Sequence, residues 1–160
     1  MTTVRSPQPM RAWGQTTVYG HLLVAMTAHS VAFVGLYDGA QEAQADLRTH
    51  HPQVTITQDE AVRSLIEAII GYLEGYRPVP DLALDIQTTT FRWRVWYELR
   101  RIPRGQARTY SQVAKAVGQP QAARAVASAC ASNPLAILIP CHRVIGSDGS
   151  LRGYRWGVAR

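Results

Sequence analysis

The chain has 160 residues, of which 46% are hydrophobic and 18% charged, a composition that excludes a disordered or collagen-like chain. Its apolar run 135–139 is far shorter than the roughly 20 residues of a membrane-spanning helix, and residues 1–10 lack a signal-peptide core. We therefore expect a cytoplasmic protein with no membrane partner. Two cysteines, Cys130 and Cys141, form no CxxC pair, which predicts free thiols, no disulfide and no metal site.

Charge is distributed unevenly along the chain. Residues 1–85 carry five basic and nine acidic side chains, a net charge of −4, whereas residues 86–160 carry 12 basic and two acidic ones, a net charge of +10. An arginine-rich genome would explain why Lys115 is the only lysine, but it would not explain the segregation. The second half is therefore predicted to bind a polyanion.

The first half shows the patterns of a mixed α/β domain. Two β-rich runs, Thr16–Met26 and Val31–Tyr37, predict a hairpin. A helix with an apolar stripe is predicted to begin after an N-cap at Asp59 and to end at Gly75. Alternating apolar residues over 82–86 predict a short strand that leads into the second half.

The second half shows the patterns of a helix-turn-helix protein. An apolar stripe over 91–102 predicts a helix that carries arginines on its other faces. Ser111 is predicted to cap a second helix that ends at Val117, and a third helix follows a short turn and ends near Ser132. Two short helices joined by a turn that contains Gly118 are typical of the helix-turn-helix motif.

The third helix has an unusual composition, AARAVASACASN, over residues 122–133. Its small side chains let the backbone approach a partner closely, and Arg124, Ser128 and Ser132 share one face. This pattern suits a helix that lies in a nucleic-acid groove. An alanine-rich helix buried in a core is the alternative, and the charge of the second half favours nucleic acid.

A cysteine and a histidine follow the buried run 135–139. A nucleophilic thiol needs a base or a cation nearby, and His142 and Arg143 are the candidates beside Cys141. The pair alone is also compatible with a buried structural cysteine. Residues 144–149 predict a small hairpin or wing beside the helix-turn-helix.

The segment IPCHRVIGSDGSLRGYRWGVAR resembles the active-site region of the O6-alkylguanine-DNA alkyltransferases, and within it residues 153–158 most resemble the C-terminal part of Ada-type proteins. The resemblance extends through FRWRVWYELRRIPRG, RTYSQVAKAVG and AARAVASACASNPLAILIPCHRV, and is looser over residues 10–80. It implies an α/β fold with a small ribonuclease-H-like domain over 11–85 and a winged helix-turn-helix domain over 86–160. The polar residues 1–10, which include Pro7 and Pro9, predict a flexible tail before them. The four-cysteine metal domain of full-length Ada proteins has no counterpart here, and no cofactor is implied.

The resemblance implies DNA repair by direct damage reversal. The alkyl group of a flipped O6-alkylguanine, or of O4-alkylthymine, passes irreversibly to Cys141, so each molecule reacts once. His142 matches the family histidine that accepts the thiol proton through a bound water. Tyr110 matches the tyrosine that donates a proton or hydrogen bond to the departing guanine.

The resemblance also implies how this chain would bind double-stranded DNA as a monomer. Arg124 matches the arginine that intercalates from the minor groove, and the other expected DNA-binding residues are Ser111, Ser128 and Ser147. The substrate pocket is expected to include Asn133, Pro140, Val144, Tyr154 and Arg155. Cys130 is expected to be structural.

The family continues with a helix whose glutamate orients the active-site histidine, and this sequence ends at Arg160. The expectation is weakened transfer, because a catalytic histidine needs a partner that fixes its orientation. A non-catalytic binder of alkylated DNA is therefore an alternative, although such relatives replace the cysteine and this chain keeps Cys141. A Cys-His hydrolase is a third hypothesis, for which the sequence offers no oxyanion site.

Overall fold

The structure, a computed structural model, describes residues 9–158, and the chain divides into two compact units after Ile86. The predicted tail falls largely on residues 1–8, which lie outside the described residues. Met10 lies in the first strand rather than in that tail, and it is buried. None of the helices within residues 9–158 combines the length and the apolar character needed to cross a membrane.

The first unit is built on a four-stranded sheet with the spatial order β3-β2-β1-β4. The strands are β1 (Met10–Thr17), β2 (Gly20–Met26), β3 (Val31–Tyr37) and β4 (Val54–Ile56). Strand β2 pairs antiparallel with both β1 and β3, so that Val24 lies opposite Trp13 and Val34, and β4 pairs in parallel with β1. Five consecutive residues of β2, 21–25, are buried, which shows that the central strand is covered on both faces.

The prediction of one strand over Thr16–Met26 was wrong, because the chain reverses within it. Thr16 and Thr17 end β1, and a turn leads to Gly20, whose φ of 120° is strained for a side-chain-bearing residue. Val18 at the tip of this turn is 91% exposed. An apolar residue on a hairpin tip therefore made two strands look like one.

Two helices pack on this sheet, α1 (Ala40–His50) against β3 and β1, and α2 (Glu60–Leu73) against β1 and β2. The N-cap prediction for α2 is confirmed, because the Asp59 carboxylate accepts hydrogen bonds from the amides of Ala61 and Val62. Asp59 also pairs with Arg11 of β1, which ties the start of the helix to the sheet. Gly75 follows the helix with a φ of 88°, as a C-terminal glycine should.

Helix α1 and strand β4 were not predicted from the sequence. Helix α1 buries only Ala43 and Leu47, so its sequence carries no apolar stripe. The strand predicted over 82–86 is reduced to one parallel bridge between Leu84 and Val31. The Val31 amide donates to the Ala83 carbonyl and the Asp85 amide donates to the Val31 carbonyl, which makes a single bridge rather than a strand ladder.

The second unit contains three helices that pack on one another: α3 (Thr90–Arg100), α4 (Tyr110–Ala116) and α5 (Ala123–Ala131). The stripe predicted for α3 is confirmed at Val95 and Leu99, which are fully buried. The buried indole of Trp96 donates a hydrogen bond to the carbonyl of Ala129 at 2.8 Å, which fixes α3 to the last turn of α5.

Helix α4 begins earlier than predicted. Its N-cap is Thr109, whose hydroxyl accepts from the Gln112 amide while the Gln112 side chain accepts from the Thr109 amide, a capping box. Ser111 lies inside the first turn and is exposed. The capping role predicted for Ser111 was therefore wrong, because the helix begins two residues earlier, where Thr109 and Gln112 each accept from the other's amide.

Two short strands, β5 (Arg108–Thr109) and β6 (Val144–Ile145), pair in parallel. A turn follows β6, in which the Gly146 amide donates to the Ser150 carbonyl at 2.9 Å. Within residues 9–158 no strand follows this turn, so the predicted hairpin is a strand and a turn. The parallel pair instead joins the start of α4 to the segment after Cys141.

Candidate active site

The chain between α5 and β6 is a buried double turn. The Leu138 amide donates to the Ala136 carbonyl at 2.8 Å around Ile137, which has a φ of 72°. A positive φ at a β-branched residue is strained and persists only where the surroundings enforce it. A second tight turn around Pro140 lets the Cys141 amide donate to the Ile139 carbonyl at 2.8 Å.

Asn133 holds this double turn together from inside. It is fully buried, and its Oδ1 accepts from the Leu135 amide at 2.9 Å. Its Nδ2 donates to the Ile139 carbonyl at 2.9 Å and to the Cys141 Sγ at 3.1 Å. One side chain therefore fixes both ends of the apolar run and the thiol.

The Cys141 thiol is 5% exposed and begins a 3-10 turn over Cys141–Arg143. Burial raises the pKa of this thiol, while the Asn133 hydrogen bond, the amides of residues 141 and 142 and the Arg155 cation act in the opposite direction. The cation predicted beside the thiol, Arg143, instead donates to the Ile102 carbonyl at 2.6 Å. Arg155 supplies the positive charge that sequence proximity assigned to Arg143.

His142 lies next to the thiol and is solvent-exposed as a whole residue. The surrounding protein and the Arg143 cation lower the pKa of its imidazole to about 4. No hydrogen bond between the two described side chains joins the imidazole to the Cys141 Sγ, so proton transfer between them needs a bridging water. The Tyr154 ring lies edge-on to the imidazole, with 6.2 Å between the ring centroids.

Tyr110 begins α4 and lies close enough to both thiols to interact with them electrostatically. Burial, followed by the Cys130 and Cys141 thiols, raises the pKa of its phenol, and Arg152 opposes the increase. The phenol is therefore a proton donor, rather than a phenolate, at neutral pH.

Both cysteines are free, and their environments differ. Burial and the neighbouring Cys141 raise the pKa of Cys130 to about 12. Cys141 has the opposing contacts from Asn133 and Arg155 described above. Cys141 is accordingly the thiol equipped to ionise.

The other predicted pocket residues surround this centre. Pro140 and Val144 are buried on either side of the 3-10 turn. Arg155 approaches the Asn133 carbonyl at 3.5 Å, and its guanidinium lies 4.6 Å from the centre of the Trp156 ring. Among the described residues, no cluster of three His, Cys, Asp or Glu side chains could hold a metal ion.

The predicted DNA-binding residues are all exposed. Arg124 and Ser128 are exposed one turn apart on α5. Ser111 is exposed on α4, and Ser147 is exposed in the turn after β6. These four positions are free to contact a partner, and their roles remain predictions.

Three features of the site were not predicted. Glu98 is buried inside α3, in which every other charged residue is an arginine. The tight turn at Ile137 has no glycine to signal it, and the Arg143–Ile102 contact joins distant segments. An acidic residue within a strongly basic helix was the available signal for the first of these.

The second unit therefore combines a helix-turn-helix with a hydrogen-bonded thiol on a strained buried turn, the arrangement expected of the class of DNA-binding proteins that carry a reactive cysteine. Residues 90–160 match the family described as the 6-O-methylguanine DNA methyltransferase, DNA binding domain. The chain is 34% identical to the methylated-DNA–protein-cysteine methyltransferase of Methanosarcina acetivorans over 87% of this chain and 85% of that protein. It belongs to the methylated-DNA–protein-cysteine methyltransferase family, as the sequence motifs predicted.

Other relatives extend the likeness. The bifunctional transcriptional activator/DNA repair enzyme Ada of Escherichia coli is 42% identical over 88% of this chain, which spans only 40% of that protein. A crystal structure of the Mycobacterium tuberculosis O6-methylguanine methyltransferase is similar with a TM-score of 0.79 and 34% identity, covering 94% of this chain and 87% of that one. The predicted α/β fold class with a helix-turn-helix domain is confirmed by this similarity.

Proposed function

We propose that this protein repairs DNA by direct damage reversal, taking the alkyl group of O6-alkylguanine onto Cys141 in one irreversible step. The observation that carries the proposal is the buried Cys141 thiol, which accepts a hydrogen bond from Asn133 Nδ2 at 3.1 Å beside a neutral histidine. The relative in Escherichia coli is named a DNA repair enzyme, and a relative from Mycobacterium tuberculosis with a TM-score of 0.74 has been crystallised in complex with DNA.

The step balances in atoms and charge. The Cys141 sulfur forms a bond to the alkyl carbon as the bond from that carbon to guanine O6 breaks. The thiol proton passes through a water to His142 and then to solvent. Tyr110 gives its phenolic proton to the guanine anion, and the phenolate regains one proton from solvent, so that the proton lost by the thiol equals the one gained by guanine. The products are a thioether, which thiol exchange does not reverse, and an unmodified guanine.

The pKa values support this division of roles. The raised pKa of Cys141 keeps the resting thiol protonated, so attack requires a base. The lowered pKa of His142 keeps the imidazole neutral and able to accept a proton at neutral pH. The raised pKa of Tyr110 keeps its phenol protonated for donation.

The DNA side of the proposal rests on α5. Its exposed Arg124 is flanked by small residues, which suits a helix that enters the minor groove and fills the gap left by a flipped base. The net charge of +10 over residues 86–160 supports binding to phosphates along a duplex. We propose that the protein acts as a monomer in the cytoplasm, also accepts O4-alkylthymine, and uses Ser111, Ser128 and Ser147 as DNA contacts.

The decisive experiment is intact-protein mass spectrometry after incubation with duplex DNA that contains O6-methylguanine. The expected result is a gain of one methyl group, mapped to Cys141, and no gain with undamaged DNA. Cys141→Ser should abolish the gain, whereas the matched variant Cys130→Ser should keep it. Arg124→Ala should slow transfer from the duplex but not from the free base O6-benzylguanine.

Binding of the lesion without any mass gain would overturn the proposed transfer and leave the non-catalytic binder as the better description. Repeated turnover of a small ester would instead support the hydrolase. A gain that maps to Cys130 would contradict the assignment of Cys141 as the acceptor.

A further inference from the structure

The segments that carry Tyr110 and Cys141 meet in one small element. Strand β5 ends at Thr109, directly before Tyr110, and β6 begins at Val144, directly after the Cys141–Arg143 turn. The two strands pair in the register of Arg108 with Val144 and of Thr109 with Ile145. The register of this pair therefore sets where Tyr110 lies relative to the thiol.

A pair of two-residue strands is too short to fix its own register. The C-terminal end of α3 contacts both segments. Arg108 Nη1 donates to Glu98 Oε1 at 2.6 Å, and Arg143 Nη1 donates to the Ile102 carbonyl at 2.6 Å. Helix α3 therefore holds the β5 segment through Arg108, and Ile102, two residues after the helix ends, holds the β6 segment through Arg143.

Glu98 is a buried carboxylate, with 11% of its side chain exposed. Two arginines pair with it, Arg108 at 2.6 Å and Arg101 at 3.2 Å. Arg101 lies at the C-terminal end of α3 itself, three residues along the chain, and its side chain is 65% exposed. Both arginines neutralise the Glu98 carboxylate, but of these two ion pairs only Glu98–Arg108 joins α3 to another element.

We propose that the Glu98–Arg108 ion pair is a positioning device that holds Tyr110 at its working distance from Cys141 during alkyl transfer. The inference rests on the proposed function for its kinetic consequence. Its structural consequence, the placement of Tyr110 beside the thiols, is independent of that function. Neither residue touches the substrate; both act through β5.

The kinetic test compares Arg108→Gln with Arg101→Gln in single-turnover reactions with O6-methylguanine duplex. Each variant removes one arginine from Glu98, but only the first breaks the link to β5. We expect Arg108→Gln to slow transfer about tenfold, since misplacement by about 1 Å can reduce rates up to roughly 100-fold. Arg101→Gln should change the rate less than about twofold.

The final extent of alkylation counts the molecules that are folded and competent, whereas the rate constant reports how well they are arranged. We expect the extent to stay at one methyl per chain in both variants. A purely structural role would lower the extent and leave the rate of the remaining molecules unchanged, which would overturn the proposal. Equal slowing by both arginine variants would overturn it as well.

Tyr110→Phe tests whether the pair acts through the tyrosine. In that background Arg108→Gln should produce no further slowing, because the group that it positions has been removed. Slowing by the same factor in both backgrounds would contradict the proposal.

A titration of the Tyr110 phenol by NMR, with labelled tyrosine, tests the placement without any reaction. Loss of a nearby cation can only raise the pKa of a phenol, whereas release from the buried site beside the thiols lowers it toward its ordinary value of 10. We expect Arg108→Gln to lower the pKa of Tyr110 and Arg101→Gln to leave it unchanged. An unchanged or higher pKa in Arg108→Gln would refute the positioning role, even if the wild-type chain transferred no alkyl group.

Discussion

The two units of this protein bury polar groups in different ways. In the first unit, the buried polar residues lie in or beside a regular sheet and contact residues close in sequence. His21 contacts Thr16, and Thr27 contacts Ser30. In the second unit, buried Asn133 spans a strained double turn. The comparison teaches that the thiol is held where one buried side chain bonds to several groups across a strained turn, rather than to a single neighbour in a regular sheet.

The largest expected effect is the loss of stability on substitution of Asn133, and it tests this contrast between the units. Asn133→Ala would leave the buried Leu135 amide without the Asn133 acceptor and would take one of two donors from the Ile139 carbonyl, which should lower the free energy of unfolding by about 3 kcal/mol. Thr27→Ala in the first unit removes only local contacts with Ser30 and should cost about 1 kcal/mol. Urea unfolding measures both, and equal losses would remove the distinction between the units.

The next largest expected effect is the loss of stability on substitution of Gly14 in the first unit. A Cβ on Gly14 would overlap the His21 Nε2, so Gly14→Ala should cost about 2 kcal/mol of stability through overpacking. The double variant with His21→Ala should recover part of the loss, because it removes the clashing ring. Thermal unfolding of the four proteins gives the coupling energy, and simple additivity would contradict the steric explanation.

The capping box of α4 gives a smaller effect, inside the second unit. Thr109→Ala removes the hydroxyl that accepts from the Gln112 amide and should cost about 1 kcal/mol. Ser111→Ala, in the exposed first turn, should leave stability within about 0.5 kcal/mol. A larger loss from Ser111→Ala would restore the capping role that the structure gives to Thr109.

The smallest expected effect is an absence of pH dependence. The pKa of His142 is lowered to about 4, so its neutral, proton-accepting form is lost only as the pH falls through that value. The single-turnover rate should therefore stay constant between pH 8 and about pH 5.5. A rate that falls by half near pH 6.5, the ordinary pKa of histidine, would show that the surrounding protein does not lower the pKa of His142 in the working protein.

The sequence was informative where one residue type carries a local signal. Asp59 before an apolar stripe predicted the start of α2, and the motif around Cys141 predicted the family. Helix α1 was missed because it buries two side chains. The Ser111 cap was wrong because an equally good cap, Thr109, lies two residues earlier in a capping box.

The geometry of the site depended on contacts that no local pattern encodes. Arg143 is adjacent to the Cys141–His142 pair, yet its guanidinium bonds to Ile102, 41 residues away. Arg155, 14 residues beyond the thiol, supplies the charge instead. Which of two arginines faces a thiol is decided by packing, and the sequence motif records only that both are present.

The two ends of α5 are held differently. The Trp96 indole holds the Ala129 carbonyl at its C-terminal end, whereas its N-terminal end has no side-chain cap. Arg124 lies in the first turn of α5, and Asn133 lies four residues after Ala129. Under the proposed function, a duplex that displaced Arg124 would move α5 as one short helix, and with it the end of the helix that leads to Asn133.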